Sequence, residues 1–309
     1  MRRSLINPIA LLQAYSIFTL CLLSCVVAGP AKIAGDTDST YVEHCESLVC
    51  RDRTTGIEFV PLGVCLDILG NLYVVDSDNS RLYVSDRGLS ALTLFSECPA
   101  EYQGCDFIDV AGNRAGGIYV SDRSGGLILD LDRWGEPGAF VKVGEGVVGI
   151  GEGKAGVVVA AMSIDGSISM VDFDKEAEAL ETTIKHGDGN AYPVDCHVVH
   201  DGTVIVTDSF SKQVFFLSSL GEIKGVAHGF SFENPFGVTC IDDRYVLVAD
   251  SDLGLVAVFG LNGDFLFAFG GGILEMPTFL DSTPDGLVCV SDAGRMTVEV
   301  FRIGKTPPE

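Results

Sequence analysis

Two aspartates, Asp109 and Asp195, are the residues in this chain whose type and position first point to ligand chemistry. Each lies near the start of an apolar, β-prone segment, and three further candidates lie close to the second one: Asn190, Tyr192 and His197. Carboxylate oxygens are the ligands that hard cations prefer, so a weak calcium or other cation site is one interpretation. The other interpretation, which the acidic composition favours, is a pair of solvated loop carboxylates.

Histidine spacing argues against a zinc centre. His197 and His200 are three residues apart on a predicted strand, and alternation along a strand sends them to opposite faces. Five aspartates that each end a strand could be mistaken for a ring of metal ligands: Asp76, Asp122, Asp208, Asp250 and Asp292. Their placement once per repeat predicts turn capping through local hydrogen bonds instead. The sequence therefore predicts no metal site and no cofactor, and leaves calcium as the alternative.

Cysteines outside the N-terminal segment fall into two groups. Cys98 and Cys105 bracket a short loop and are predicted to pair, with Cys45 and Cys50 as the second pair. Four cysteines allow three connectivities, so this pairing is a preference. The others lie inside apolar strand patterns and are predicted to be buried thiols: Cys65, Cys196, Cys240 and Cys289.

The N-terminal segment predicts export. Arg2 and Arg3 precede an apolar stretch that continues to Ala28, which is typical of a signal over residues 1–25. The residues Leu22–Cys25 resemble a bacterial lipobox and make Cys25 a lipidation candidate. Cleavage after Ala28 or Ala31, which would release a free protein, is the alternative. Residues 26–44 are predicted to be a flexible tether, and the mature protein is expected to be secreted, periplasmic or lipid-anchored to the envelope.

A short apolar, β-prone run recurs six times along the rest of the chain. The runs end at Asp76, Asp122, Ala161, Asp208, Asp250 and Asp292. In four repeats a proline lies fifteen residues before that end: Pro61, Pro193, Pro235 and Pro277. A period of about 40–45 residues is that of a four-stranded propeller blade. The sequence thus predicts an all-β fold, a six-bladed propeller of four-stranded antiparallel blades over residues 45–304, with a tail at 305–309.

The first repeat carries a recognisable motif. Pro61-Leu-Gly-Val-Cys-Leu-Asp67 followed by Gly70-Asn-Leu-Tyr-Val-Val-Asp76 resembles the NHL repeat, and Asn234-Pro-Phe-Gly-Val238 resembles it well. The third repeat, from Val147 to Ile184, has lost both the proline and the aspartate. The resemblance covers about residues 47–304 and implies a six-bladed propeller, but the same scaffold carries unrelated activities.

Closure of the ring can be predicted from the ends of the repeat region. The last repeat supplies inner strands and then the chain ends, whereas Ser47–Asp52 precedes the first proline with no inner strand of its own. We therefore expect Ser47–Asp52 to pair with Thr297–Phe301 as the outermost strand of the sixth blade. Such pairing would remove the exposed edges of that blade.

Register along the repeats predicts which residues surround the channel at the start of the innermost strands. The position after the proline is occupied by Leu62, Ile108, Val147, Val194, Phe236 and Thr278, and the next by Gly63, Asp109, Val148, Asp195, Gly237 and Phe279. The metal ligands that the resemblance to gluconolactonase-like propellers would imply are not matched: Glu58 is isolated and Val194 or Phe236 replaces the asparagine. This predicted channel mouth is mainly apolar.

Charge narrows the class of partner. The chain has 20 Lys and Arg against 43 Asp and Glu, a formal net charge of −23, which repels phosphate backbones and excludes nucleic acid. We predict a monomeric, non-catalytic extracytoplasmic binding or scaffold propeller that recognises a protein or glycan through its top-face loops. The alternative is a metal-dependent hydrolase or lyase with its site at the channel mouth.

Overall fold

The computed structural model describes residues 40–85, 88–98, 104–113, 116–153, 157–173, 180–183, 185–186 and 189–305. These residues form six four-stranded antiparallel sheets arranged as a propeller, which confirms the predicted fold. The innermost strand of each sheet packs against the innermost strands of the two neighbouring sheets. Over the described residues, no helix has the length and apolar character needed to cross a membrane.

The first three blades follow each other along the chain. Blade 1 consists of β2 Pro61–Leu66, β3 Leu72–Asp76, β4 Arg81–Ser85 and β5 Thr93–Glu97. Blade 2 consists of β6 Phe107–Gly112, β7 Ile118–Asp122, β8 Leu127–Leu131 and β9 Pro137–Lys142. Blade 3 consists of β10 Val147–Glu152, β11 Val157–Met162, β12 Ser167–Asp172 and β13 Leu180–Thr183.

The second half begins after a small hairpin of β14 Lys185–His186 and β15 Gly189–Asn190. Blade 4 consists of β16 Pro193–Val198, β17 Val204–Asp208, β18 Gln213–Leu217 and β19 Ile223–Val226. Blade 5 consists of β20 Pro235–Ile241, β21 Tyr245–Asp250, β22 Leu255–Gly260 and β23 Phe265–Phe269. Blade 6 consists of β24 Pro277–Ser282, β25 Leu287–Asp292, β26 Thr297–Lys305 and, from the N-terminal side, β1 Thr40–Val49.

The two innermost strands of every blade are joined by the same pairing. Residues fifteen apart face each other: Pro61 with Asp76, Phe107 with Asp122, Val147 with Met162, Pro193 with Asp208, Pro235 with Asp250, and Pro277 with Asp292. The predicted register of the third repeat was therefore wrong by one residue. Val147 takes the proline position and Met162 the final one, because this repeat lacks both residues that mark the register.

The strand-ending aspartates cap turns, as predicted. In blade 6, Asp292 Oδ1 accepts hydrogen bonds from the backbone N–H groups of Met276, Gly294 and Arg295 at 3.0–3.1 Å. In blade 5, Asp250 accepts backbone N–H groups in the same way, from Glu233 among others. Asp250 and Asp292 therefore stabilise both the loop that enters their own blade and the turn that follows the second strand.

The N-terminal strand β1 closes the ring, as predicted. Ser47 pairs with Glu299 and Val49 with Thr297, but the strand begins earlier than expected, at Thr40, inside the segment predicted as a tether. The buried carboxylate of Glu299 accepts a hydrogen bond from Ser47 Oγ at 2.6 Å. Because β1 and β26 come from opposite ends of the chain, their pairing leaves no open blade.

One predicted disulfide is confirmed and the other is wrong. Cys98 and Cys105 are bonded, whereas Cys45 is an exposed free thiol and Cys50 a buried one. Both free cysteines belong to one extended segment, where five residues span about 16 Å. That distance is far beyond the roughly 4.4–6.8 Å between Cα atoms that a disulfide allows.

Candidate functional site

The channel is filled by apolar side chains at the end where the innermost strands begin. Each blade supplies one member of this apolar ring: Leu62, Ile108, Val148, Val194, Phe236 and Phe279. Phe236 and Phe279 meet edge to face with centroids 5.2 Å apart. Five of the six are buried and Phe236 is half-buried, so the predicted mouth is a packed core instead of an entrance. Val148, and not Val147, is the member from blade 3.

A cavity of about 310 Å³ lies on the other side of this apolar ring, along the second half of the innermost strands. It reaches the surface beside the β2–β3 turn, where Ile68 is 83% and Leu69 56% exposed. We call this space the channel cavity. It has the size of a small ligand site and brings several polar groups together, which makes it the candidate functional site.

Three carboxylates from alternate blades lie along the wall of the channel cavity. Asp109 of blade 2, Asp195 of blade 4 and Asp281 of blade 6 all line it. Each accepts the backbone N–H of the blade that follows: Ile150 donates to Asp109 Oδ2 at 2.9 Å, Val238 to Asp195 Oδ2 at 2.8 Å, and Leu66 to Asp281 Oδ2 at 2.8 Å. All three therefore connect neighbouring blades.

Hydroxyl groups strengthen the same three contacts between blades. Ser121, Thr207 and Ser291 stand just before the final residue of the second strand in blades 2, 4 and 6. Ser121 Oγ donates to Val148 O at 2.7 Å, Ser291 Oγ to Leu62 O at 2.5 Å, and Thr207 Oγ1 to Phe236 O. The equivalent residues of the odd blades have no hydroxyl: Val75, Ala161 and Ala249. The ring thus has two alternating kinds of contact.

Glycines occupy the positions of the odd blades that match Asp109 and Asp195. A Cβ on Gly63 would lie 2.5 Å from Asp109 Cα, and one on Gly237 would lie 2.7 Å from Phe279 Cα. A Cβ on Gly149 would overlap Asp195. These three glycines let the inner backbones approach each other, so close packing contributes to the contact that each odd blade makes with the blade after it.

Burial changes the ionisation of these groups. Desolvation raises the pKa of Asp195 to about 8 and that of Asp281 to about 6, against the backbone hydrogen bonds that oppose it. The pKa of Asp109 is also raised, first by burial and then by the charge of Asp195. Near neutral pH, Asp281 is therefore mainly ionised, whereas Asp195 retains its proton in most molecules.

The wall of the channel cavity has a polar side and a small, apolar side. The fifth residue of each innermost strand faces it: Cys65, Ala111 and Gly151 from blades 1–3, and His197, Thr239 and Asp281 from blades 4–6. Thr239 Oγ1 donates to Asp281 Oδ1 at 3.3 Å. Burial lowers the pKa of His197 to about 4, so its imidazole is neutral. That imidazole makes no hydrogen bond within the described part of the chain.

The structure places the five ligand-binding candidates from the sequence in two different regions. Asp109, Asp195 and His197 line the channel cavity, so the expectation of solvated loop carboxylates is wrong for both aspartates, which are 4% exposed. Both Tyr192 and Asn190 precede β16, and Tyr192 is not among the described residues that line the cavity. The Tyr192 backbone instead donates to Asp208 at 3.1 Å, and Asn190 pairs with Lys185 in the small hairpin. Cys25, the lipidation candidate, lies outside the described residues.

Sequence reasoning missed Asp281 and Thr239. Only the second and third positions of each repeat were compared around the channel, whereas these residues stand at the fifth. The signal that could have found Asp281 was a carboxylate inside a predicted strand, directly after the apolar pair Phe279 and Leu280. Within the described ranges, no three histidine, cysteine or acidic side chains are grouped closely enough to hold a metal ion.

Comparison with known proteins supports the fold alone. No family model matches the chain, and no curated protein matches it. Among solved structures, a streptogramin B lyase superposes with a TM-score of 0.65 at 12% identity, over 86% of this chain and 98% of the other. A structural genomics protein of unknown function from Bacteroides thetaiotaomicron gives 0.66 at 11% identity, over 86% of this chain and 76% of the other.

An oxidoreductase shares the same architecture. The PQQ-bound aldose sugar dehydrogenase from Streptomyces coelicolor gives a TM-score of 0.61 at 12% identity, over 86% of this chain and 98% of that one. Enzymes with different chemistry therefore have this fold. At such low identity the superpositions establish a six-bladed propeller and assign no activity to this chain.

Proposed function

We propose that this chain is a non-catalytic recognition propeller of the NHL type that binds its partner at the open end of the channel cavity. The observation that carries the proposal is that the three cavity carboxylates all accept structural hydrogen bonds. Each is hydrogen-bonded by the next blade, and Asp195 also accepts the backbone N–H of Cys196 at 2.7 Å. Groups fixed in this way hold the cavity in shape and are poorly placed to move during a reaction.

The thiols in the cavity wall are also unsuited to nucleophilic catalysis. Cys65 and Cys196 are each 2% exposed, and burial followed by nearby aspartates raises the pKa of both well above the ordinary value. A nucleophilic cysteine needs the reverse, a lowered pKa in an electropositive and accessible place. Binding without covalent chemistry therefore fits these residues better.

A protein partner fits the rim of the cavity better than a glycan does. Ile68 and Leu69 project from the β2–β3 turn beside the opening, and both are more than half exposed. Apolar side chains around a concave polar site are typical of protein contacts. We further propose an exported location, for which the Cys98–Cys105 disulfide is the support, since such bonds persist in oxidising compartments.

The proposal is tested with matched histidine variants on a peptide array and a glycan array. His197→Gln changes a cavity residue without a hydrogen bond to lose, and His200→Gln changes an exposed histidine outside the cavity. We expect peptide binding that His197→Gln weakens and His200→Gln leaves unchanged. Binding that is equal for both variants, or confined to glycans, would reject the cavity as a protein site.

A second candidate function is acid–base catalysis without a metal. It is favoured by Asp195, whose pKa of about 8 would make it a proton donor near neutral pH, beside a neutral His197. Incubation with ester, lactone and glycoside substrates distinguishes the two functions. Turnover that is lost in Asp195→Asn, while folding and peptide binding remain, would establish the enzyme in place of the recognition protein.

A further inference from the structure

The channel cavity has the chemistry of a site for a positively charged nitrogen. Its polar side combines the Asp281 carboxylate, the Thr239 hydroxyl and the unpaired imidazole of His197, which come from three consecutive blades. An ammonium group carries a charge and several N–H donors, and these match a carboxylate and two neutral acceptors. No lysine or arginine is among the described residues that line the cavity.

The opposite side of the cavity suits an apolar substituent. Ala111 and Gly151 offer a methyl group and no side chain, and Gly112 continues this surface. Cys65, whose thiol hydrogen-bonds Asp281, lies between this surface and the polar side. A Cβ on Gly151 would lie 2.6 Å from Cys196 O, so this position cannot easily become larger. The combination predicts a ligand with a charged end and an apolar body that is narrow enough for a cavity of about 310 Å³.

We propose that the channel cavity binds an organic ammonium group against Asp281, Thr239 and His197, with the apolar part of the ligand against Ala111, Gly112 and Gly151. This inference rests on the proposed recognition function and names the chemistry of the group recognised. The ammonium belongs either to a lysine side chain of a protein partner or to a free amine.

Affinity should depend on pH through the groups that face the cavity. Five strands supply them: Cys65 on β2, Asp109 on β6, Glu152 at the end of β10, Asp195, Cys196 and His197 on β16, and Asp281 on β24. Asp67 lies at the rim, and Asp243 in the β20–β21 turn acts on His197 through its charge. Asp281 ionises near pH 6 and Asp195 near pH 8. A cation stabilises the ionised carboxylates, so binding should tighten as the pH rises from 5 to 8 and should release protons.

Titration calorimetry with benzylammonium tests the inference, with benzyl alcohol as the neutral control of similar shape. We expect wild-type protein to bind benzylammonium, to bind it more tightly at pH 8 than at pH 5, and to bind benzyl alcohol at least about tenfold more weakly. Equal affinity for the two compounds would overturn the inference. A parallel titration uses a lysine-containing peptide. Tighter binding of the peptide than of benzylammonium would identify the ligand as a lysine side chain of a protein, and tighter binding of benzylammonium would identify it as a free amine.

Two variants make the result specific to the cavity. Asp281→Asn should reduce benzylammonium affinity about tenfold and abolish most of its pH dependence, while Asp252→Asn, at an exposed turn, should bind like wild type. Thr239→Val is the second cavity variant if Asp281→Asn lowers the melting temperature. Wild-type affinity in both cavity variants would overturn the inference. If benzylammonium does not bind but peptide binding is still weakened by His197→Gln, only the ammonium inference is rejected. If neither benzylammonium nor peptide binding is observed, the proposed recognition function is rejected as well.

Discussion

The two ends of the central channel are built from the same six strands and have opposite character. At one end, the second residue of each strand is apolar in five blades, and Phe279 fills the place in the sixth. At the other end, the fifth residue differs in every blade, from Gly151 to Asp281. The comparison shows that a repeat protein can use one level of its axis for packing while the side chains at another level vary from blade to blade.

The third residue of each innermost strand lies between the two ends of the channel and explains why one end is packed and the other is open. There the blades alternate between glycine and a larger residue, and the larger residue is an aspartate in blades 2 and 4. Asp109 and Asp195 hydrogen-bond the next blade above the apolar ring, and they form the deep part of the cavity wall. Structural hydrogen bonds therefore separate the packed end from the accessible end.

Truncating the packed end should have the largest effect on stability. Phe279→Ala removes a side chain that is 1% exposed and contacts Phe236, so we expect a loss of about 3–5 kcal/mol in the free energy of unfolding. Urea denaturation measures it, with Phe210→Ala, at a side chain 78% exposed, as the control. A loss below about 1 kcal/mol would show that the ring is not a packed core.

Adding a side chain at one of the glycines in the third position of the innermost strands should reduce stability by a smaller amount. Gly149→Ala places a methyl group against Asp195, and we expect a destabilisation of about 1–3 kcal/mol from the forced shift of the neighbouring blade. Gly225→Ala is the matched control because nothing lies within 4 Å of its added Cβ. Equal melting temperatures for the two variants would contradict the close approach of blades 3 and 4.

The change in stability between pH 7 and pH 9 should be the smallest effect. The pKa of Asp195 is raised to about 8 in the folded protein, so its contribution is fully present below the unfolded pKa of about 4 and is lost as the pH rises towards 8. Between pH 7 and pH 9 this loss is about 1.4 kcal/mol. Asp195→Asn should remove it, whereas Asp252→Asn should not. A wild-type pH profile in Asp195→Asn would place the titration elsewhere.

The fold was predictable because its signals are local and repeated. A run such as Val246–Asp250, preceded by Pro235 at a fixed distance, marks two strands and the turn between them. Closure by the N-terminal strand followed from counting strands. The first error came in blade 3, where neither mark exists, and there the hydrophobic run alone allows a shift of one residue.

The site was only partly predictable because its geometry depends on contacts between blades. Nothing local to Asp109 indicates that it accepts the N–H of Ile150, which is 41 residues away. The expected open end of the channel was also wrong, because packing of the ring residues, Phe236 and Phe279 among them, decides which end is filled. Likewise, the spacing of Cys45 and Cys50 did not reveal that both belong to one extended segment.

Thiol labelling tests the central claim most directly, that the channel is accessible at one end and packed at the other. The background carries Cys45→Ser, Cys65→Ala, Cys196→Ala and Cys240→Ser, which removes the exposed thiol, the two thiols of the cavity wall and the partly exposed one. One further cysteine is introduced into it either as Ser282→Cys in the channel cavity or as Val148→Cys in the apolar ring. A small methanethiosulfonate reagent should modify the cavity cysteine in the folded protein and the ring cysteine only at the rate of unfolding. Equal rates, or faster labelling of Val148→Cys, would contradict the account.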